Sequence, residues 1–466
     1  MEPIEGNAVE DFYPDQLVVD LPYLRLVRNK LNVELTPGPD KAEPDRRSPR
    51  DNIPGLQESE DLGLALLTLQ RDSLKQRADA LRAEPGFLGR FLEAQPAVLK
   101  GTRDAAEIPD LELVLFDVRS EFARDHAGWI PDMDKNHAAS PIEGTPGISG
   151  GGKGAPRPAE VADVAAFHGA IVQHPPDGPE ESDVTIGLLD TPIHEGHRLF
   201  KNVLTRIHDR LALDSEPFPQ SAGHCTFVAG LIMARAPKAT LIVRAVLNPQ
   251  EAHASLWRTA QELVELAHKR VHLINLSLVY NSLTAATPSL ALTRAIERAR
   301  ELNPGLVLIA AAGNHGHPVA GDQPPPPLER AGRAPLLANR PVLPAATPGV
   351  VAVGAFKKDS DPNKPELWES SPHRAPWISL GAPGEDVVST YIKGVIRTRE
   401  VEQGEVHEKD VPFGTDMAVW SGTSFATATV TGEIARLMGT EGLTAQEAVR
   451  RLREGIRDCV VQPYPQ

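Results

Sequence analysis

A chain of 466 residues, 41% of them hydrophobic, has the apolar content for a sizeable core and the length for two or three domains, or one large domain with an appendage. Its 63 Asp plus Glu against 48 Lys plus Arg give a formal net charge of -15. That sign repels phosphate backbones, and with no basic patch interleaved with aromatics it excludes nucleic acid as a default partner. Two cysteines, Cys225 and Cys459, are too few for a disulfide-stapled scaffold.

The chain opens on "MEPIEGNAVEDFYPDQ", which is acidic and lacks a charged-then-apolar export pattern. Leu17–Val27 is broken by Asp20, Pro22 and Arg25, and no run reaches the roughly 20 apolar residues of a membrane span. The expected setting is therefore cytoplasmic, with no membrane partner. "DQLVVDLPYL" reads as a strand. "KAEPDRRSPRDNIPG" (41–55) is a polar, Pro-rich loop. "EDLGLALLTLQRDSLKQRADALRAEPG" carries helical spacing towards its end, with Gly86 as its stop. "LELVLFDV" (111–118) alternates and reads as a strand. Residues 131–160 are rich in Gly and Pro, which opposes helix and strand alike, so they are expected to be a linker.

Beyond 160 the texture changes. "DVTIGLLD", "ATLIVRAVL", "VHLINLSLVY", "LVLIAAAGN" and "GVVAVGAF" read as strands. "CTFVAGLIMAR", "SLWRTAQELVELAHKR" and "SLALTRAIERARELNPG" read as helices between them. Such alternation implies a mostly parallel central sheet with helices on both faces, an α/β three-layer fold. The expected division is residues 1–130 as a smaller N-terminal α+β region, 131–160 as linker and 161–466 as the main domain. In such sheets, sites gather at the carboxyl ends of the strands.

Four residues fall at those positions. Asp190 ends the first strand of the main domain, His224 sits near a helix start in "SAGHCTFVAG", Asn314 follows a strand in "AAAGN", and Ser424 opens the helix of "SGTSFATATVTG". A serine hydroxyl needs a base to become a nucleophile. Histidine supplies one near neutral pH, and a carboxylate fixes its tautomer. An amide side chain stabilises the oxyanion, and the Ser424 N–H at a helix N-terminus is a second donor.

These segments resemble the subtilisin-like serine proteases, the subtilases, whose order is Asp, His, Ser. "LLDTPI" is similar to the family's Asp segment and "GHCTFVAG" to its histidine helix. "INLSL" is similar to its substrate-binding strand, and "SGTSFATATVTG" to its nucleophile segment. "LPAATPGVVAVGA" and "LGAPGEDVVST" fall in order between them. The resemblance covers roughly residues 160–460. It implies a subtilisin-like fold and a serine endopeptidase with Asp190, His224 and Ser424 as triad and Asn314 as oxyanion donor. Ser277, Leu278 and Val279 would pair with a polypeptide substrate, and Ala311, Ala312 and Gly313 would line the primary pocket. No cofactor is implied. Cys225 stands where the family usually has Gly, Phe227 where it often has His, and Ala428-Thr429 where it has Pro-His. Val279 and Tyr280 follow "INLSL" in place of Gly, and their bulk is expected to narrow or cover the pocket. The inserts 315–341, 357–376 and 393–416 are long for the family core.

Each residue also has a plainer reading. Ser424 in an isolated GTS would be a small residue in a packed helix, and Asp190 a turn cap. It is their order with His224 and Asn314 that points to acyl transfer. Cys225 reads as an apolar filler rather than a redox gate. His194, His197 and His208 suggest a metal, but no ligand set completes them, so none is expected. "SGGGKG" lacks the strand and spacing of a phosphate loop. The rival class is a catalytically silent, protease-like binding or regulatory module. An esterase or amidase is the rival among enzymes. Residues 1–130 read either as a propeptide or as a permanent domain that docks a protein partner. The lack of an export pattern and the polar loop 41–55 favour the latter.

Overall fold

The computed structural model describes residues 5–7, 10–36, 53–95, 108–141, 154–172, 184–197, 200, 205–207, 211, 215–250, 253–280, 288–316, 327–330, 333–402 and 405–465. The "SGGGKG" run up to Lys153, His208 and most of the loop 41–55 lie outside them. The chain divides into two compact units. The first holds Met1–Ala138 with Ser255–Gln261 and Pro288–Arg298, and the second holds Ala139–Ala254, Glu262–Thr287 and Ala299–Gln466.

The first unit is α+β. Its strands lie in the order Met133–Pro141, Glu10–Asp20, Leu64–Thr68, Leu56–Ser59, each pair antiparallel. Its helices are α1 (Leu24–Leu31), α2 (Arg71–Ala83), α3 (Phe87–Ala94) and α4 (Asp110–Asp125). In α2 the Gln70 side chain accepts from Ser73 N at 3.2 Å, and Leu74, Ala78 and Leu81 face the core at helical spacing. The helix expected towards Gly86 ends at Ala83, and its leading residues form the strand Leu64–Thr68.

Two expectations are corrected. Residues 111–118 are helical, within α4. Leu111, Val114, Leu115, Val118 and Phe122 form a buried stripe of period near four, which the local alternation of Leu111, Leu113 and Leu115 imitates as a strand. Asp110 and Glu112 in its first turn suit the helix dipole. The segment 131–160 is not all linker: Met133–Pro141 is a strand of the N-terminal sheet. A buried ion pair fixes it, Lys135 Nζ to Glu112 Oε1 at 2.9 Å, with the ammonium 4.3 Å above the Phe12 ring. The Asn136 side chain donates to Gln16 at 2.6 Å and Ser255 at 3.0 Å and accepts from Trp257 N at 3.0 Å.

The second unit is the α/β body. Its sheet runs Leu380–Pro383, Val351–Phe356, Val307–Ala311, Leu273–Leu276, Thr185–Asp190, Thr240–Ala245, Thr205–Ile207, all parallel, with Gln462–Pro463 antiparallel at the edge. The strand Thr185–Asp190 is buried over nearly its whole length, as a strand covered on both faces must be. Helices α5 (Val161–Val172) and α6 (His224–Arg235) precede α7 (Leu256–His268) and α8 (Leu290–Leu302), of which only Glu262–His268 and Ala299–Leu302 belong to this unit. Helix α9 (Thr423–Glu441) runs through the core, followed by α10 (Ala445–Arg453).

Helix α9 carries threonines, yet it is buried from Thr423 to Ala435. Thr427 donates to Thr423 O at 2.7 Å, Thr429 to Phe425 O at 3.1 Å and Thr431 to Thr427 O at 2.8 Å. Each hydroxyl is satisfied one turn back, so small polar residues are tolerated in the core. The insert 393–416 forms a hairpin, Gly394–Glu402 against Glu405–Phe413, whose first strand also pairs with Phe218–Pro219.

Candidate active site

Asp190 is the last residue of its strand, His224 the first of α6 and Ser424 the second of α9, and all three are buried. The Asp190 Oδ1 accepts from His224 Nδ1 at 2.7 Å and from Thr191 N at 2.6 Å. A carboxylate only accepts, so Nδ1 is the donor, and in the neutral imidazole Nε2 carries the lone pair. The first turn of α6 is held by Cys225 N donating to Thr191 Oγ1 at 3.1 Å. Rings wall the histidine: Trp420 edge-on at 5.7 Å and Phe425, the neighbour of Ser424, at 5.6 Å. Helices α6 and α9 pack against each other, and the His224–Phe425 contact joins their first turns.

The Ser424 hydroxyl is buried and has no hydrogen-bond partner among the described residues. In the turn that carries it, Thr423 N donates to Asn314 Oδ1 at 2.9 Å, and Phe425 N and Ala426 N donate to Gly422 O at 3.1 and 3.4 Å. Asn314 Oδ1 also accepts from Thr423 Oγ1 at 3.0 Å, which in turn accepts from Gly313 N at 3.1 Å. With its carbonyl end held, the Asn314 amide presents its NH2 end beside Gly422. Gly313 has φ +96°, and a Cβ there would lie 2.5 Å from His315 Nδ1, so glycine is required where the chain turns into Asn314.

Ser277 is buried. Its hydroxyl donates to Asn275 Oδ1 at 2.8 Å and stands 3.5 Å from Ser424 O, so its side chain braces the turn that carries Ser424. Asn275 donates onward to Thr431 at 3.0 Å. Neither Asn275 nor Thr431 stands out in the sequence. Leu278–Val279 is an edge strand, and Ser140–Pro141 of this chain pairs antiparallel with it, Val279 opposite Ser140 and Leu278 opposite Pro141. Ala311 ends its strand, and Ala312 and Gly313 lead from it to Asn314.

The other candidates stay outside this chemistry. Burial, with the Asp190 charge second, pushes the Cys225 thiol well up, which keeps it a packing residue. His197 Nε2 meets Asp416 O at 2.8 Å. Burial pulls the His194 pKa down, and among the described residues no group of three or more His, Cys, Asp or Glu is placed to hold a metal.

Gly223, immediately before His224, has no room for a side chain: an added Cβ would overlap the Tyr391 ring, whose hydroxyl donates to Gln220 O at 2.6 Å. Gly223→Ala is expected to cost about 1–3 kcal/mol by overpacking and to lower activity by displacing His224. The thermal midpoint and kcat measured together check this. An unchanged midpoint would show that Tyr391 yields freely.

A bonded carboxylate and imidazole, with a buried serine near the start of a helix packed against the histidine's own, are the residue types of a Ser-His-Asp centre. Residues 181–456 match the subtilase family, and the chain belongs to that family. Alkaline protease 1 of Aspergillus clavatus is 25% identical over 272 residues, 56% of this chain and 53% of that protein. The chain thus spans about half the length of this curated relative. Fervidolysin from Fervidobacterium pennivorans, described as a keratinolytic enzyme related to subtilisin, shares the fold with a TM-score of 0.53 at 15% identity, over 97% of this chain and 60% of that one. The self-cleaved protease domain of PatA is 23% identical with a TM-score of 0.40, over 59% of this chain and 86% of that one. No helix among the described residues is long and apolar enough to cross a membrane.

Proposed function

We propose that the chain is a serine endopeptidase whose activity is regulated by its own N-terminal region. The observation that carries the chemistry is the buried Asp190–His224 hydrogen bond at the start of α6, whose imidazole meets the ring of Phe425, the neighbour of Ser424, at 5.6 Å, while the buried Ser424 hydroxyl has no hydrogen-bond partner among the described residues. Ser424 Oγ attacks the peptide carbonyl and His224 Nε2 takes its proton. Asp190 stabilises the imidazolium. The oxyanion forms between the Asn314 NH2 group and the Ser424 N–H. Collapse expels the amine, protonated by His224, and water repeats the sequence on the acyl-enzyme.

The polypeptide substrate binds as an added strand on Leu278–Val279, so its main chain supplies affinity. Ser140–Pro141 uses that same edge, so a substrate has to replace it, which supports a regulated enzyme. We read the N-terminal region as a permanent domain that docks a protein partner. Its compact unit includes Ser255–Gln261 and Pro288–Arg298, with Trp257 Nε1 donating to Gln57 at 3.1 Å and Arg294 3.4 Å from both Asp20 and Asp132. A nick after Pro141 leaves these bonds in place. Cys225 and Cys459 are separate thiols, which suits a reducing, cytoplasmic setting.

The test is labelling with a serine-directed fluorophosphonate, read by intact mass. The expected result is one adduct on the full-length chain, absent from Ser424→Ala. Folded protein that takes up no label would favour the silent binding module. Loss of the N-terminal region in the parent, but not in Ser424→Ala, would replace the permanent domain with a self-removed propeptide.

A further inference from the structure

Val279, Ala311 and Val342 form one buried apolar cluster, with Trp377 half-buried against it. Three distant segments meet there. Val279 belongs to the edge strand, and Ala311 ends the strand that leads to Asn314. Val342 arrives on a segment pinned to the edge strand from the far side, Tyr280 N to Leu343 O at 2.8 Å and Leu343 N to Tyr280 O at 3.3 Å.

The position of this cluster decides what a substrate can carry. A scissile carbonyl held by Asn314 and the Ser424 N–H belongs to a residue whose backbone runs along Leu278–Val279. Its side chain therefore enters between that edge and the residues leading to Asn314, with Val279 on one side and Ala311 on the other. Buried apolar side chains already stand there: Val279 is 9% exposed, Val342 3% and Ala311 0%. Interiors pack at crystal-like density, so an added chain of several methylenes has to displace the cluster.

We infer that the site accepts peptides with Gly, Ala or Ser on the amino side of the scissile bond and rejects Leu and Phe there, with Val342 and Val279 as the specificity-determining residues. This rests on the endopeptidase reading above. A single methylene in an apolar pocket changes selection by about 10- to 200-fold. For Leu against Ala the expected discrimination in kcat/KM is at least about 100-fold.

The experiment digests a peptide library with the full chain, its Val279→Gly and Val342→Ala variants, and Ser424→Ala as control, and reads cleavage sites by mass spectrometry. The parent is expected to cut after Gly, Ala and Ser. Each variant is expected to raise the ratio of cleavage after Leu to cleavage after Ala at least tenfold. Two variants guard against one that fails to fold. A parent that cuts after Leu or Phe as readily as after Ala overturns this inference alone, as do folded variants with the parent's profile. A chain that cleaves no peptide overturns the endopeptidase reading and this inference with it.

Discussion

Ser424→Ala and His224→Ala are each expected to lower kcat by about a millionfold, and the double variant is expected to be little worse than either alone. That magnitude and its non-additivity were themselves measured on a subtilisin. The physical reason is that neither residue has a catalytic function without the other. A serine hydroxyl is a weak nucleophile until a base takes its proton, and in the proposed mechanism that base is the imidazole. His224 in turn has its Nδ1 proton committed to Asp190 at 2.7 Å, which leaves Nε2 for the transferred proton. Both substitutions shorten buried side chains, so the thermal midpoint has to be measured beside the rate. Near-normal turnover in folded His224→Ala would show that another group is the base. A double variant slower than the parent by the product of the two single losses would show that the two act independently, against a shared proton transfer.

The candidate site residues were legible in the sequence for a local reason. Asp190, His224, Asn314 and Ser424 each lie where a strand ends or a helix starts, and short runs of small residues mark those junctions. The alternation of strands and helices beyond residue 160 likewise follows from burial on both faces of one sheet. What escaped the reading is tertiary. Val342 lies far along the chain from Val279, and only the Tyr280–Leu343 pairing brings them together. The bracing of the nucleophile turn by Ser277, Asn275 and Thr431 depends on a strand and a helix remote in sequence. Residues 111–118 misled because a helix buried on most of its faces has no polar stripe to break the alternation, and Leu113 is as buried as Val114. The strand Met133–Pro141 misled because its partners, not its composition, make it a strand.

Asn314→Ala is expected to lower kcat by about 100- to 1000-fold with little change in KM, the loss known for one oxyanion donor, itself measured in a subtilisin. The geometry gives the reason for the split. A ground-state carbonyl carries little charge and draws little from an amide donor. The tetrahedral oxyanion carries a full charge in a buried site, where a prealigned donor is worth far more. Asn314 is prealigned because Thr423 N and Thr423 Oγ1 hold its Oδ1 at 2.9 and 3.0 Å, so the amide cannot flip and its NH2 end is fixed before substrate arrives. The same bonds make Asn314 a structural support of the nucleophile turn, so Ala also removes the acceptor of Thr423 N. Asn314→Asp separates the two roles. It keeps acceptors for both Thr423 donors but offers no amide hydrogen and places a negative charge beside the oxyanion. Asn314→Asp is therefore expected to be at least as slow as Asn314→Ala while melting closer to the parent. A rise in KM at unchanged kcat in both variants would make Asn314 a substrate-binding residue. Activity restored in Asn314→Asp would make it a support of the turn alone, and either result would remove it from the oxyanion site.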